Sequence, residues 1–396
     1  ADLIEDASKF NNANRHVECT DCHNPHRVAK NSLFNLSGST SAGTHEHSSG
    51  HTNIASGVLR GSWGVEPSYG SANFSPTNLP LAFAVKKGDG GVGASTAVNS
   101  SHVTREYQIC MKCHSNYAYG SNPPNLGSTG GNTPSGTNDL TQYTNQAMEF
   151  QAPINHKGQV SRTDSGAGSG FTNNNHRSWH PVMDNTGRTA SIRNANANNW
   201  ESPFNGSANV GNQTMYCSDC HGTDTENGTS APTGGTNGNP WGPHGSTNNF
   251  ILKGPWSTST GEGNQSHLCF KCHDYSTYAT ESGGSSGFGG SRDSNLHSLH
   301  SKRIGSSLRC SWCHIAIPHG WKNKAFLVNM NDVGPEVGLP AGTEISNSAI
   351  NSNTGYTNGP YYMRAFAKIE SFATSGNWSE NNCGGRDYMR SMCDSP

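Results

Sequence analysis

Apolar side chains are scarce in this sequence, at 31% of 396 residues, and charged ones are scarcer still, at 14%. A chain of this length should nevertheless bury a substantial interior. Its own side chains are too few to fill one, so additional apolar bulk is expected there. No run of basic residues occurs, which argues against nucleic acid as a partner. No apolar stretch is long enough to span a bilayer, so no transmembrane helix is expected. The sequence opens on neither Met nor Cys, and the expectation is a secreted, mature protein without an acyl anchor. Long periodic segments are missing as well. Clusters of Gly, Ser, Asn and Thr interrupt nearly every stretch, notably 120–145, 223–239 and 281–295.

What the sequence has in excess is cysteine in one pattern. Ten of its twelve cysteines fall in five copies of Cys-x-x-Cys-His, numbered motifs 1 to 5. They are Cys19-Cys22-His23, Cys110-Cys113-His114, Cys217-Cys220-His221, Cys269-Cys272-His273 and Cys310-Cys313-His314. In this spacing two thiols add to the vinyl groups of one haem, and the adjacent histidine binds its iron from one face. A series of structural zinc sites is the rival, but zinc pairs do not require a histidine directly after the second cysteine. Five covalent c-type haems are therefore expected, with His23, His114, His221, His273 and His314 as proximal ligands. The macrocycles would supply the missing apolar bulk and cross-link the chain, so the haem-free polypeptide should fold poorly. Two propionates per haem and one net positive charge per ferric centre would take the formal charge of −2 to about −7 when oxidised and about −12 when reduced. The remaining cysteines, Cys383 and Cys393, are expected to form a disulfide, with an unpaired thiol pair as the alternative. Disulfides and haem attachment to cysteine both belong outside the cytoplasm, so an extracellular location is expected, the periplasm being the alternative.

The motifs fall into two types. Motifs 2 and 4 read Cys-Met-Lys-Cys-His and Cys-Phe-Lys-Cys-His and are followed by Tyr117/Tyr119 and Tyr275/Tyr278. Motifs 3 and 5 begin Cys-Ser and are followed by Pro243-His244-Gly245 and Pro318-His319-Gly320; motif 1 is followed by Pro25-His26. Residues 1–321 therefore form the expected haem-binding region, as a half-unit around motif 1 and then pairs 2–3 and 4–5. Residues 322–396 form a haem-free C-terminal segment. The expected fold is mostly irregular, with short helices and few strands wrapped around a chain of haems. Strands are expected at 79–85 and 325–328. A helix is expected at 361–373, where Met363, Phe366, Ile369 and Phe372 recur.

Fourteen of nineteen histidines lie outside the motifs, enough to supply second axial ligands. His26, His244 and His319 occupy matching Pro-His positions, and His180 and His300 lie between the members of a pair. These five are the distal candidates, with His51 and His297 in reserve. For His16, His45, His47, His102, His156, His176 and His267 a surface role is at least as good a reading. A histidine three to five residues past its own motif sits on the proximal side of that haem. His26 and His319 should therefore serve a different haem, which forces close haem packing. Met is another possible sixth ligand, but none of the methionines shares the repeated context.

The Cys-x-x-Cys-His-Asn-Pro-His start, the paired motifs, the Pro-His-Gly signatures and Asn295-Leu296-His297-Ser298-Leu299-His300 resemble multihaem cytochromes secreted by metal-reducing bacteria and archaea. These include the polymerising extracellular filaments often called microbial nanowires. The resemblance covers about residues 15–321. It implies electron transfer through closely packed bis-histidine haems to redox partner proteins or extracellular acceptors. It also implies a head-to-tail homopolymer, in which His26 matches the histidine that can ligate the last haem of the neighbouring subunit. Five is an odd count, a departure from the even counts of those filaments. A monomeric secreted or periplasmic shuttle is the second reading. The third is a pentahaem enzyme resembling nitrite reductases, in which a lysine commonly replaces one motif histidine. All five motifs here end in His, so an enzyme is not expected.

Overall fold

The computed structural model describes residues 17–37, 54–69, 80–120, 145–150, 180–185, 189–193, 195–231, 242–256, 261, 263–289, 295–305, 308–310, 313–314, 319, 324–326, 328–329, 368–372 and 393–395. Loops predominate among them. The helices are α1 (Cys19–Cys22), α2 (Glu106–Cys110), α3 (Asn116–Tyr119), α4 (Gln146–Glu149), α5 (Ala190–Arg193), α6 (Tyr275–Ala279) and α7 (Leu296–Ile304). None among the described residues is long and apolar enough to cross a membrane. Short polar side chains cap and close turns locally instead of extending helices. Ser115 accepts from the Tyr117 N–H at 3.2 Å, Asp274 from Thr277 at 2.7 Å and Asn295 from His297 at 3.0 Å.

Strands β1 (Gly64–Ser68) and β2 (Ala82–Lys86) pair antiparallel with Val65 opposite Val85. Helix α2 packs against β1 and separates two small cores. Tyr107 and Met111, one turn apart, join Val65, Ala147, Phe150 and Val182 in the first. Ile109 turns to the other side, with Phe34, Ala55 and Val103. Fully burying a side chain such as Met111 contributes about 1.5–3 kcal/mol, so α2 is firmly wedged. Its last residue is Cys110, and the packing thereby fixes motif 2.

A second junction holds α6 to α7. Asn295 Nδ2 donates to the carbonyls of Thr277 at 2.7 Å and Gly284 at 2.6 Å, and the Gly283 N–H donates to Ser298 Oγ at 3.0 Å. A Cβ at Gly283 would stand 2.5 Å from the Ser276 carbonyl oxygen, so the approach needs glycine. Gly305, at φ 71°, closes α7.

Three short strands, β3 (Val328–Asn329), β4 (Lys368–Phe372) and β5 (Cys393–Ser395), run parallel in that order. The helix expected at 361–373 is thus corrected, since β4 lies within it; Ile369 pairs with Asn329 and Cys393, and neighbouring strands override the three-residue recurrence. The strand expected at 79–85 is found at Ala82–Lys86. Of the described residues in the one expected at 325–328, Val328 pairs, whereas Lys324–Phe326 is a 3₁₀ turn with Ala325 and Phe326 at φ 48° and 58°.

Candidate metal centres

Each motif folds as one turn. The histidine N–H donates to the first cysteine's carbonyl in all five, at 2.9, 2.9, 3.0, 3.0 and 2.9 Å from motif 1 to motif 5. Residues three and four apart share one side of a helical turn, so both thiols and the imidazole project together. Sequence spacing alone imposes this arrangement.

The ring orientation in motifs 1, 3 and 5 comes from further away. His23 Nδ1 lies 2.7 Å from the Val58 carbonyl, His221 Nδ1 2.8 Å from Phe250 and His314 Nδ1 2.6 Å from Ala325. A carbonyl only accepts, so each Nδ1 carries the proton and Nε2 keeps its lone pair for a metal. The three carbonyls belong to the 3₁₀ turns Gly57–Leu59, Asn249–Ile251 and Lys324–Phe326. In the latter two the backbone is left-handed at Phe250, Ile251, Ala325 and Phe326. Such residues cost of order 1–3 kcal/mol each, and here they aim a carbonyl at a motif histidine. These anchors are absent from the expectations above. A signal for two of them exists, since Val58-Leu59-Arg60-Gly61-Ser62-Trp63 recurs as Ile251-Leu252-Lys253-Gly254-Pro255-Trp256.

Four motif histidines each face a histidine from elsewhere in the chain. Ring centres are 5.9 Å apart for His23 and His244, 5.9 Å for His221 and His319, 6.5 Å for His273 and His180, and 6.2 Å for His314 and His297. Two metal–nitrogen bonds of about 2 Å, with roughly 1.1 Å from each nitrogen to its ring centre, would give roughly 6.2 Å. The residues therefore fit a metal held between two imidazoles. His244 and His319 each face a histidine two motifs earlier, not the motif next to them in sequence.

His297 occupies the position opposite His314, and the His300 ring instead lies 5.9 Å from that of Phe288 with its Nδ1 2.6 Å from the Leu296 carbonyl. His297 is clamped by edge contacts from Tyr278 and Phe288, each at 5.1 Å, and by Ser286 Oγ, 2.8 Å from its Nδ1. The His26 ring is exposed, while its backbone N–H donates to Asn24 Oδ1 at 3.1 Å. His51 and Cys383 lie outside the described residues, as does the side chain of Cys393. The expected disulfide therefore falls outside them too.

Burial keeps four of the facing rings, His221, His244, His297 and His314, in the neutral, ligating form. Burial, then the neighbouring His319, lowers His221 from 6.5 to about 4. Burial also lowers His314, and burial followed by the facing ring lowers His297 and His244. Only neutral imidazole ligates. The cysteines move the other way. Burial raises Cys22 and Cys113 to about 11 and Cys220 and Cys313 to about 12. Burial thus favours the neutral thiol form of these four groups. Among the described residues the one convergence of metal-binding side chains is Glu106, Cys110 and Cys217, all within 4.8 Å. It takes one cysteine from each of two motifs and no histidine, unlike a zinc site built on one Cys-x-x-Cys pair.

The thiols also reveal how the motifs follow one another. Cys110 hydrogen-bonds with Cys217, and Cys269 with Cys310, joining motifs 2–3 and 4–5 through first cysteines. After burial, Cys110 acts most on Cys22 and Cys220 on Cys272, bringing motifs 1–2 and 3–4 together. The five motifs thus adjoin one another in chain order. Buried lysines brace these two junctions. Lys112 Nζ donates to the Asp21 carbonyl and stands 4.4 Å over the Trp63 ring; Lys271 Nζ reaches the Glu226 carbonyl at 2.9 Å and Lys253 Nζ that of Ser230 at 2.7 Å.

Compared with protein-family models, curated protein sequences and solved structures, the chain matches none.

Proposed function

We propose that the chain attaches five c-type haems and carries electrons along them. The carrying observation is the set of four ring pairs, each joining one motif histidine to one histidine outside the motifs at the separation a shared metal requires. The motif cysteines would form the thioethers. His23, His114, His221, His273 and His314 would be proximal ligands, with His244, His319, His180 and His297 as distal ligands to motifs 1, 3, 4 and 5. Bound there, the haems would supply one-electron exchange, with the four paired centres offering no open coordination site. The protein's part is spacing, ligation and burial. Thiol proximity between successive motifs supports a continuous path from motif 1 to motif 5, in a protein wrapped around its haem chain. With both axial positions filled at motifs 1, 3, 4 and 5, substrate catalysis of the nitrite-reductase kind is disfavoured at those four centres.

The protein is read as extracellular, on its cysteine chemistry and the proposed Cys383–Cys393 disulfide, with redox proteins or external acceptors as partners. Assembly into a head-to-tail filament is favoured by His26. His244 and His319 each face a motif histidine two places earlier, whereas the exposed His26 ring faces no motif histidine among the described residues. Its exposed ring is free to be offered to a haem of a neighbouring chain, and such a contact repeats without closing. His297 faces His314, so the receiving centre would be one other than that of motif 5. A monomeric shuttle is the second reading, favoured by the completion of four described pairs within one chain.

Electron paramagnetic resonance of the purified oxidised protein tests the haem reading. Low-spin bis-histidine signals are expected throughout; a dominant high-spin signal or the absence of haem would overturn it. Sedimentation and negative-stain microscopy separate polymer from shuttle.

A further inference from the structure

The exposed His26 ring stands on a turn that is fastened on either side of it. Asn24 Oδ1 accepts the His26 N–H at 3.1 Å, while Asn24 Nδ2 donates to the Gly61 carbonyl at 3.1 Å. The Asn24 carbonyl accepts from the Arg27 N–H at 2.9 Å and from the Val28 N–H at 3.0 Å. These bonds close the turn around Pro25 and His26, and the proline ring fixes its own φ. Beyond the histidine, Arg27 Nε lies 3.5 Å from Asp89, which Arg60 grips through Nη2 at 3.0 Å and Nε at 3.1 Å. Burial works to raise the Asp89 carboxyl, but the Gly91 N–H, Arg60 and Arg27 together hold it below the usual carboxylate range. Gly61, at φ 74°, leaves room for the Arg27 stem, since a Cβ there would stand 2.9 Å from Arg27 Cβ.

The segment that fastens this turn also orients His23. Arg60 and Gly61 follow Val58, whose carbonyl lies 2.7 Å from His23 Nδ1. The proximal histidine of motif 1 and the exposed histidine beside it are therefore held in one frame. A second Pro-His turn shows what such fastening accompanies. Just past His244, Asp224 accepts the Thr247 N–H at 3.0 Å, the Thr247 hydroxyl, and Asn248 Nδ2 at 3.1 Å. His244 has its partner within the chain, its ring centre 5.9 Å from that of His23. His26 has a comparably fastened turn, yet faces no motif histidine among the described residues.

Resting on the filament reading above, we propose that Asn24, Arg27 and Asp89 are positioning residues, holding His26 in the orientation in which it ligates a metal centre of a second copy of this chain. A ligand already fixed in place loses little freedom on binding. The same histidine on a slack turn would bind more weakly, because ordering the turn would offset part of the gain. The frame shared with His23 has a second effect. It fixes motif 1 relative to the neighbouring centre, so the electron path keeps one geometry at each junction between chains.

The test is sedimentation of the holoprotein over a concentration series, with covalent haem counted and electron paramagnetic resonance recorded for each sample. Arg27→Met keeps much of the stem but removes the pairing with Asp89, at a side chain 56% exposed. Asn24→Ala removes both hydrogen bonds of the side-chain amide. Each should raise the concentration at which filaments form by about tenfold, with the low-spin signals of the four ring pairs retained. Arg27→Lys, which restores a cation facing Asp89, should return assembly towards the parent value. Arg27→Met carries the test even if Asn24→Ala yields little holoprotein. Assembly of both variants at the parent concentration, while His26→Ala fails to assemble, would overturn the positioning role and leave the filament reading standing. Loss of assembly together with the low-spin signals would also overturn it, since that marks damage to the fold. A parent protein without covalent haem or monomeric at every concentration, or His26→Ala filaments like the parent's, would remove the filament reading and this proposal with it.

Discussion

Replacing His297 and His300 separately by alanine distinguishes two histidines that sequence context leaves nearly equivalent. They lie three residues apart on α7, and the repeat favours His300 as the distal ligand. Geometry favours His297, whose ring centre is 6.2 Å from that of His314 and whose orientation is fixed by Ser286, Tyr278 and Phe288. His297→Ala should therefore leave one iron of five with a single histidine ligand, converting about one fifth of the haem to high spin on the one-centre-per-motif count. His300→Ala should keep every iron low-spin. It removes a hydrogen bond to the Leu296 carbonyl, worth about 1 kcal/mol, and a ring contact with Phe288, worth about 1 kcal/mol. A stability loss of about 2 kcal/mol or less, read by denaturant titration, is the whole expected effect. Spin quantitation by electron paramagnetic resonance, checked by resonance Raman, decides the matter. A high-spin fraction in His300→Ala with none in His297→Ala would refute the assignment.

Three other perturbations probe separate parts of the account. His319→Ala should expose the motif 3 centre in the same way, whereas the geometry gives it no role at motif 5; perturbation of the motif 5 signal instead would contradict the reach across two motifs. Acidification should act on the same centre, because a ligand must be neutral. The stability gained by burying neutral His221 is complete above its ordinary value of 6.5 and is lost as pH falls towards about 4, where the ring protonates. A fall in folding stability across that window, read by denaturant titration, is expected, and a stability independent of pH between 6.5 and about 4 would count against it. His26→Ala should leave all four described ring pairs intact while shortening or abolishing filaments; normal filaments with unchanged spectra would remove His26 from the interface.

The sequence made local chemistry legible and left long-range pairing open. Cysteines three apart with histidine next are set on one side of a turn by spacing alone, and all five motifs form that turn. Partner choice depends instead on how loops return. His180 faces His273, some ninety positions away, and nothing in Trp179-His180-Pro181 names its partner. His300 is the candidate and His297 the reserve from sequence context alone, and both lie between motifs 4 and 5; the clamp that selects His297 comes from Tyr278, Ser286 and Phe288. The 3₁₀-turn anchors were partly readable, through the repeat of Val58–Trp63 at Ile251–Trp256, but that repeat contains no residue type with obvious chemistry. At 361–373 apolar recurrence suggested a helix, and pairing of Ile369 with two neighbouring strands decided otherwise. Composition predicted the loop-rich character well, because abundant Asn, Ser and Gly close turns wherever they occur.

The intact mass of the purified mature protein, measured under denaturing conditions that retain thioethers, tests the central claim most directly. The account predicts a mass exceeding the polypeptide by five haem masses, one for each Cys-x-x-Cys-His motif. A fully matured protein carrying fewer, or zinc with all ten motif cysteines unmodified, would contradict it.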